Sequence, residues 1–412
     1  MRYDDAPTQE PELEAHAGVG SPAGPRAEGD TVPPDWNPRG PSVRRDPGGA
    51  YDRMRSTCPV AHGTDGAWTL FSHAAVTAAA LDHSAFSNAV SAHLQVPNGL
   101  DGATHTAFRA VVDRYFSHER MTTLAPTVRS VADDLVAGLA LPAAVDAVEV
   151  GSRFAVRAQS AWLGWPAGLE DELLAWMADN HAATRSRDRA RTAEVARRFD
   201  AIVRSLTDAR REAGADAPDD VTTELVRDRV DGRPLSDEEI VSILRNWTGG
   251  DLGSMALCAG VVLTYLAHDA DLQDRLRGGV GDRELDAVLD EILRMDDPFV
   301  TNRRITTQPV TLGGRTIPAG ARVVLNWTAA NRDPRMFDEP DRFDPDANAP
   351  YNLVWGIGKH VCPGRPLATL ELRALMRALL AATRSIVPDP DRRPERSQPP
   401  VGGFTVAPVI LT

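Results

Sequence analysis

Lysine is almost missing from this chain. Among 45 basic residues Lys359 is the only lysine, and the rest are arginine. With abundant alanine and aspartate, that bias fits a GC-rich bacterial coding sequence. Cysteine is scarce as well. Cys58, Cys258 and Cys362 are scattered and odd in number, which excludes a disulfide framework and fits a reducing compartment. There is no cysteine cluster for an iron–sulfur centre, and Cys58 with His62 lacks the second pair a metal site needs. Positive charge is outweighed: 58 acidic residues leave a formal net charge of −13, which argues against nucleic acid as a partner. The chain has no glycine-rich phosphate loop, no fused reductase and no internal repeat of roughly 20–50 residues. The first 45 residues contain no apolar run, so neither a signal peptide nor a membrane anchor is expected. The expected location is the cytoplasm, with no membrane partner.

What is present reads as one large domain behind a tail. Residues 1–45 mix proline, glycine and acidic residues without a period (Pro33-Pro34, Pro38, Gly40-Pro41), and a disordered tail is expected there. Beyond it no linker-like break appears. A hydrophobic fraction of 42% suffices for a large core, so residues 46–412 are expected to form a single domain. Ser236-Asp237-Glu238-Glu239 is a capping box that opens a long helix to about Ala267. Its apolar positions are nearly continuous, which predicts a buried central helix. Helical periods also run over Val128–Leu141 and Leu169–Ala213. Short strands are predicted at Trp68–Phe71, Val310–Leu312 and Arg322–Leu325, and a last strand pair at Phe404–Leu411. The fold class is mainly α with a minor β-sheet region.

The most informative stretch is Val354-Trp355-Gly356-Ile357-Gly358-Lys359-His360-Val361-Cys362-Pro363-Gly364, followed at once by a helical pattern from Arg365 to Ala382. Glycines let the backbone approach a flat ligand and adopt conformations closed to other residues. A helix beginning just after the thiol turns its free N–H groups towards the sulfur and favours thiolate. A thiolate so held suits a haem iron that must split O–O bonds. The segment resembles the cysteine-ligand loop of the cytochrome P450 family, aromatic-Gly-x-Gly-x-His-x-Cys-x-Gly, with Trp355 where phenylalanine is usual. The resemblance implies that Cys362 ligates iron and that Trp355, Gly356, Gly358, His360 and Gly364 shape the cofactor loop.

Other segments extend the likeness, in the family's order, from about Asp46 to the C-terminus. Glu291-Ile292-Leu293-Arg294 matches Glu-x-x-Arg; alone it reads as an ordinary helical ion pair, one turn apart on one face. Asn331-Arg332-Asp333-Pro334 and Pro340-Asp341-Arg342-Phe343 match the meander, and by resemblance Glu291, Arg294 and Arg342 form a structural triad. His105 and Arg109, with Arg304 and His360, correspond to the haem-propionate ligands. The resemblance implies a cytochrome P450-like fold, with haem b between the central long helix and the cysteine loop. It also implies reductive activation of O₂ as co-substrate and electrons from a ferredoxin and ferredoxin reductase. Lys359, Arg365, Arg373 and Arg377 would offer that donor a basic docking patch.

The central helix departs from the family pattern of an acid followed by threonine. It reads Asn246-Trp247-Thr248-Gly249-Gly250-Asp251-Leu252-Gly253-Ser254. Counting back without gaps from Leu266-Ala267-His268 puts Ser254 at the alcohol position and Gly253 at the acid position. Anchoring on Gly249-Gly250 instead makes Asp251 the acid. Asp251 and Ser254, three apart, share a helix face and are the candidate proton carriers. By resemblance the substrate pocket draws on Val90–Leu100, on Asn246 and Gly250, on Phe299–Thr301 with Val300 at its centre, and on Phe404. The expected activity is oxidation of a small organic substrate in bacterial secondary metabolism. Oxidative cross-linking of aromatic groups in a peptide or other bulky precursor is the second reading, and a non-enzymatic haem-thiolate sensor the third.

Overall fold

The computed structural model describes residues 34–91, 93–186, 188–398 and 401–412. Most of the expected tail, residues 1–33, lies outside the described residues. The remainder of that tail is folded, so the compact unit begins at Pro34 rather than at residue 46. Trp36 sets its ring edge against Phe71 at 4.9 Å, and the short helix Pro41–Arg45 buries Val43. Two apolar anchors suffice to dock a segment whose proline and glycine content reads as disorder, because proline at a helix start is favourable.

The central helix runs from Asp237 to Ala267 and opens on the expected capping box. Ser236 Oγ accepts from the Glu239 amide, and the Glu239 carboxylate accepts from the Ser236 amide at 2.8 Å. The helix is long and apolar enough to cross a membrane by composition, but helices Ala147–Leu163, Arg189–Ala213, Asp282–Met295 and Arg365–Ala382 pack against it and bury it as a core element. Helix Ala147–Leu163 crosses it closely because Gly151 has no side chain; a Cβ there would meet the Ala259 Cβ at 2.6 Å. The helical period over Leu169–Ala213 resolves into Glu170–Ser186 and Arg189–Ala213. Asp188 caps the second by accepting from the Ala190 amide at 2.8 Å.

The sheet content is minor. Five strands lie in the order Val60–His62, Trp68–Leu70, Arg322–Asn326, Thr301–Thr306, Phe86–Ser87. Only the pair Trp68–Leu70 with Arg322–Asn326 is parallel. The segment Phe404–Leu411, expected as a last strand pair, forms two short strands. Phe404–Val406 pairs with Glu395–Arg396, and Pro408–Leu411 pairs with Ile386–Pro388 and Ala143–Asp146. The break falls at Ala407, whose amide turns aside to Asp146 Oδ1 at 3.0 Å. The cysteine loop lies between the meander and helix Arg365–Ala382, so one end of the chain's core positions both the thiol and its supports.

Candidate functional site

The cysteine loop is built on two left-handed glycines, Gly356 at φ 72° and Gly358 at φ 76°. A side chain at Gly358 would also come within 2.9 Å of Leu81. The turn closes with the Cys362 amide donating to the Trp355 carbonyl at 2.9 Å. Burial pushes the Cys362 thiol up, while the amides of Gly364 and Arg365, aimed at the sulfur, and the charge of Arg109 pull it back. These are the donors that stabilise a thiolate at a helix start. Trp355 has a polar handle that phenylalanine lacks. Its Nε1 donates to Asp290 at 2.7 Å, Arg365 donates to the other Asp290 oxygen at 3.0 Å, and the guanidinium lies 5.8 Å over the indole. The loop is thereby tied to helix Asp282–Met295.

That helix also carries the Glu291–Arg294 pair, which is buried as the resemblance implies. Arg294 is 0% exposed and donates twice to Glu291, at 2.7 and 2.9 Å, and also to the carbonyls of Asn331 and Pro340. Arg342 does not complete the triad. Its side chain is 63% exposed beside Glu339 and Asp344, and it gives the pair only a backbone carbonyl, at 3.4 Å. The free face of Glu291 is filled by Asn348, which donates from Nδ2 at 2.7 Å, and by the Asp344 amide at 3.0 Å. Asn331 relays the lock to the loop, its Oδ1 accepting from the Leu353 amide at 2.8 Å. A neutral amide serves here because Arg294 already balances the one negative charge.

The four expected propionate ligands converge in part. The His105 and His360 ring centroids lie 4.1 Å apart with the planes tilted by 45°, and Asn88 Nδ2 lies 2.8 Å from His360 Nε2. Burial lowers the pKa of His105, with Arg109 and Lys359 adding to it. Arg109 donates to the Lys359 carbonyl at 3.0 Å, on the loop itself. Arg304 is 5% exposed, and the one hydrogen bond of its side chain among the described residues goes to the Arg303 carbonyl. Burial brings it down to about 10. A buried guanidinium without a carboxylate is costly unless an anion completes it. His105 Nδ1 is likewise buried and unpartnered. Arg109, by contrast, is paired with Asp113 at 2.5 Å. In the middle of the largely buried central helix, Gly249 and Gly250 are exposed, and a Cβ on Gly250 would meet nothing within 4 Å. An open wall of glycine, a buried arginine lacking an anion and a thiol fixed by amides are what a flat dicarboxylate such as haem requires, so these residues fit the cofactor.

Other expected positions land elsewhere. Val300 and Phe404 are buried at 4% and 3% exposure in the hydrophobic cores and do not border open space. Val300 packs with Val43, Tyr51 and Phe71, and the Phe404 ring lies under the Arg396 guanidinium. Asn246 is committed to structure. Its Nδ2 donates to the Val96 carbonyl at 2.8 Å, while Ser242 Oγ accepts from the Val96 amide and donates to the Leu94 carbonyl. Together they staple the Leu94–Val96 segment to the central helix. Asp251 and Ser254 share a face but are not hydrogen-bonded to each other; the buried Asp251 carboxyl reaches Glu371 of helix Arg365–Ala382 instead. The proposed basic patch is internally paired. Arg365, Arg373 and Arg377 meet Asp290, Asp286 and Asp282 at 3.0, 2.5 and 2.8 Å. Those aspartates are four apart on one helix face, a spacing visible in the sequence.

Known proteins resemble this chain in sequence and fold. The family model described as Cytochrome P450 matches residues 180–409. The chain is 30% identical to cyclomarin C epoxidase of Salinispora arenicola over 331 residues, covering 76% of this chain and 82% of that one. It is 30% identical to erythromycin C-12 hydroxylase of Saccharopolyspora erythraea over 362 residues, 82% of this chain and 87% of the relative. The open form of cytochrome P450 EryK from S. erythraea superposes with a TM-score of 0.80 at 27% identity, covering 93% and 98% of the two chains. With the family model spanning over half its length and its relatives most of it, this chain belongs to the cytochrome P450 family of haem b-dependent monooxygenases.

Proposed function

We propose that Cys362 is the axial ligand of haem b and that the enzyme oxidises a small organic substrate of bacterial secondary metabolism in the cytoplasm. Bound haem supplies reductive activation of O₂, with the thiolate favouring O–O cleavage. The chain's residues do the rest. Gly356 and Gly358 let the loop backbone approach a flat group, while Asp290 and the Glu291–Arg294–Asn348 lock fix the loop in place. Arg304, His105, Arg109 and His360 answer the propionates, and Ser242 with Asn246 hold the Leu94–Val96 segment against the central helix. Asp251 and Ser254 stand on the glycine-lined side, where protons are needed. The observation that carries the reading is the Cys362 sulfur held by the amides of a helix start within a left-handed glycine turn.

A ferredoxin, reduced by its reductase, is the electron donor in this reading. It docks on the cysteine side, where Lys359 is joined by arginines whose charges the Asp282–Asp286–Asp290 row tempers. The bare glycine wall favours a bulky substrate, which keeps cross-linking of aromatic groups in a peptide precursor as the second reading. The test is the carbon monoxide complex of the reduced protein. It should show the thiolate-ligated absorption, and Cys362→Ala should abolish it. Retention of that spectrum by the substituted protein refutes the assignment.

A further inference from the structure

Trp355 brings to the cysteine loop one N–H that phenylalanine lacks, and Asp290 is where that N–H goes. Oδ1 of Asp290 accepts from Trp355 Nε1 at 2.7 Å, and Oδ2 accepts from Arg365 at 3.0 Å. The Asp290 carbonyl accepts from Asn352 Nδ2 at 2.9 Å, and Asn352 Oδ1 in turn accepts from the Val354 amide at 2.9 Å. One residue of helix Asp282–Met295 therefore grips the loop before, within and after its turn. Both side-chain partners of the carboxyl are donors, so it is held as a carboxylate.

The two side chains it grips bracket the sulfur. The Trp355 carbonyl accepts from the Cys362 amide at 2.9 Å, and the Arg365 amide is one of the two aimed at the sulfur. The Arg365 guanidinium lies 5.8 Å over the indole, so carboxylate, indole and guanidinium close a triangle. The Asp290 side chain is 22% exposed and that of Arg365 52%. The negative member of the pair is thus the one withdrawn from water, while solvent screens the positive one. Their charges do not cancel at the sulfur, because the acid acts through the lower dielectric.

Asp290 with Arg365 is the last rung of a ladder. Asp286 with Arg373 and Asp282 with Arg377 pair in the same way between the same two helices. Of the three rungs, that of Asp290 alone is hydrogen-bonded to the loop among the described residues. Arg377 lies roughly 18 Å along the helix from Arg365 at 1.5 Å per residue, beyond a Debye length at physiological salt.

We propose that Asp290 is a positioning residue whose fixed negative charge, tied to the neighbours of the thiolate by Trp355 and Arg365, holds down the reduction potential of the bound haem. The proposal rests on the haem-thiolate reading. Reduction adds one electron to the iron that Cys362 ligates, and a buried anion beside the ligand opposes the added charge. The indole N–H and the guanidinium each draw off part of that anion's field. A phenylalanine at position 355 would leave the triangle open.

The experiment is a spectroelectrochemical titration of the haem-loaded full chain, without substrate or donor. Asp290→Asn keeps an oxygen for the indole N–H and removes the charge. At a fixed solution potential it should raise the ferrous-to-ferric ratio about tenfold, or about 59 mV for one electron. That is the scale of a unit charge acting over roughly 10 Å at an effective dielectric near 20. Trp355→Phe keeps the charge and removes a donor, so it should lower the ratio, and in the Asp290→Asn background it should change little. Asp282→Asn, the far rung, should match wild type. Loosening of the loop would move Asp290→Asn and Trp355→Phe in the same direction, so parallel shifts overturn the proposal. An Asp290→Asn ratio equal to that of wild type or of Asp282→Asn overturns it too. If Asp290→Asn does not accumulate as folded holoprotein, Arg365→Gln, which unmasks the acid, should lower the ratio; an unchanged or raised ratio then counts against Asp290. A wild-type carbon monoxide complex without the thiolate absorption overturns the haem-thiolate reading instead.

Discussion

Asn348 and Arg342 offer a decisive comparison, because the family pattern favours the arginine and the structure favours the asparagine. Asn348 Nδ2 donates to Glu291 at 2.7 Å inside the core. Hydrogen bonds to charged groups are worth about 1.5–3 kcal/mol, and removing the donor leaves a buried carboxylate oxygen with fewer partners. Asn348→Ala is therefore expected to cost about 1.5–3 kcal/mol. Glu291→Ala strands the buried Arg294 and is expected to cost about 3–5 kcal/mol. Arg342 is 63% exposed and holds only loose pairings at 3.5 and 3.8 Å, so Arg342→Ala should fall within about 0.5 kcal/mol of wild type. Urea titrations of the three holoproteins, followed separately by far-ultraviolet circular dichroism and by haem absorption, give the ranking. A bound cofactor makes unfolding depart from two states, so the order of midpoints is the quantity to compare. An Arg342→Ala midpoint as low as that of Asn348→Ala would refute the reasoning and restore the arginine to the lock.

Three further outcomes are expected. Arg304→Ala should release haem to an excess of apo-globin acceptor faster than wild type, with Arg304→Lys in between, because a buried cation lacking any other anion is the one a propionate needs; equal release rates would remove Arg304 from the site. Asp251 has a folded value raised from 3.8 to about 7, so the folded chain keeps a proton that the unfolded chain releases in that window, and stability falls as pH rises through it. Asp251→Asn should thus gain on wild type in urea stability between pH 4 and pH 8, and a difference independent of pH would contradict the buried pair. Reduction by ferredoxin should slow as salt rises, and Asp286→Asn, which leaves Arg373 only the looser Asp282 contact at 3.6 Å, should speed it at low salt; a rate indifferent to both would move the docking surface elsewhere.

What the sequence disclosed depended on how local the signal was. The Cys362 loop is contiguous, and its glycines announce the left-handed turns directly. Glu291 and Arg294 are one helical turn apart, and the strong apolar period around them places the pair on the buried face. Arg342 was misplaced because the meander has no period to say which way a side chain points. Asn348 was missed for the same reason: its partner is 57 residues away. Glu371 left a readable trace, since Leu367, Glu371 and Leu375 follow a four-residue spacing that sets an acid within the apolar stripe of its helix. Asp282, Asp286 and Asp290 left another, which would have tempered the basic patch. Val300, just before the strand Thr301–Thr306, and Phe404 fell into the cores because burial depends on tertiary neighbours that so short a segment does not specify.

Lys359 sits within the cysteine loop, between Gly358 and His360, with its carbonyl receiving Arg109 at 3.0 Å. Apart from the chain's own α-amine it is the only primary amine in 412 residues. An amine-directed reagent therefore finds one side-chain target, three positions from the thiol. A ruthenium photosensitiser carrying an activated ester would be tethered there without any engineered cysteine. Light could then time the entry of single electrons beside the ligand loop, turning a quirk of codon bias into a built-in address for following the first reduction step without a protein donor.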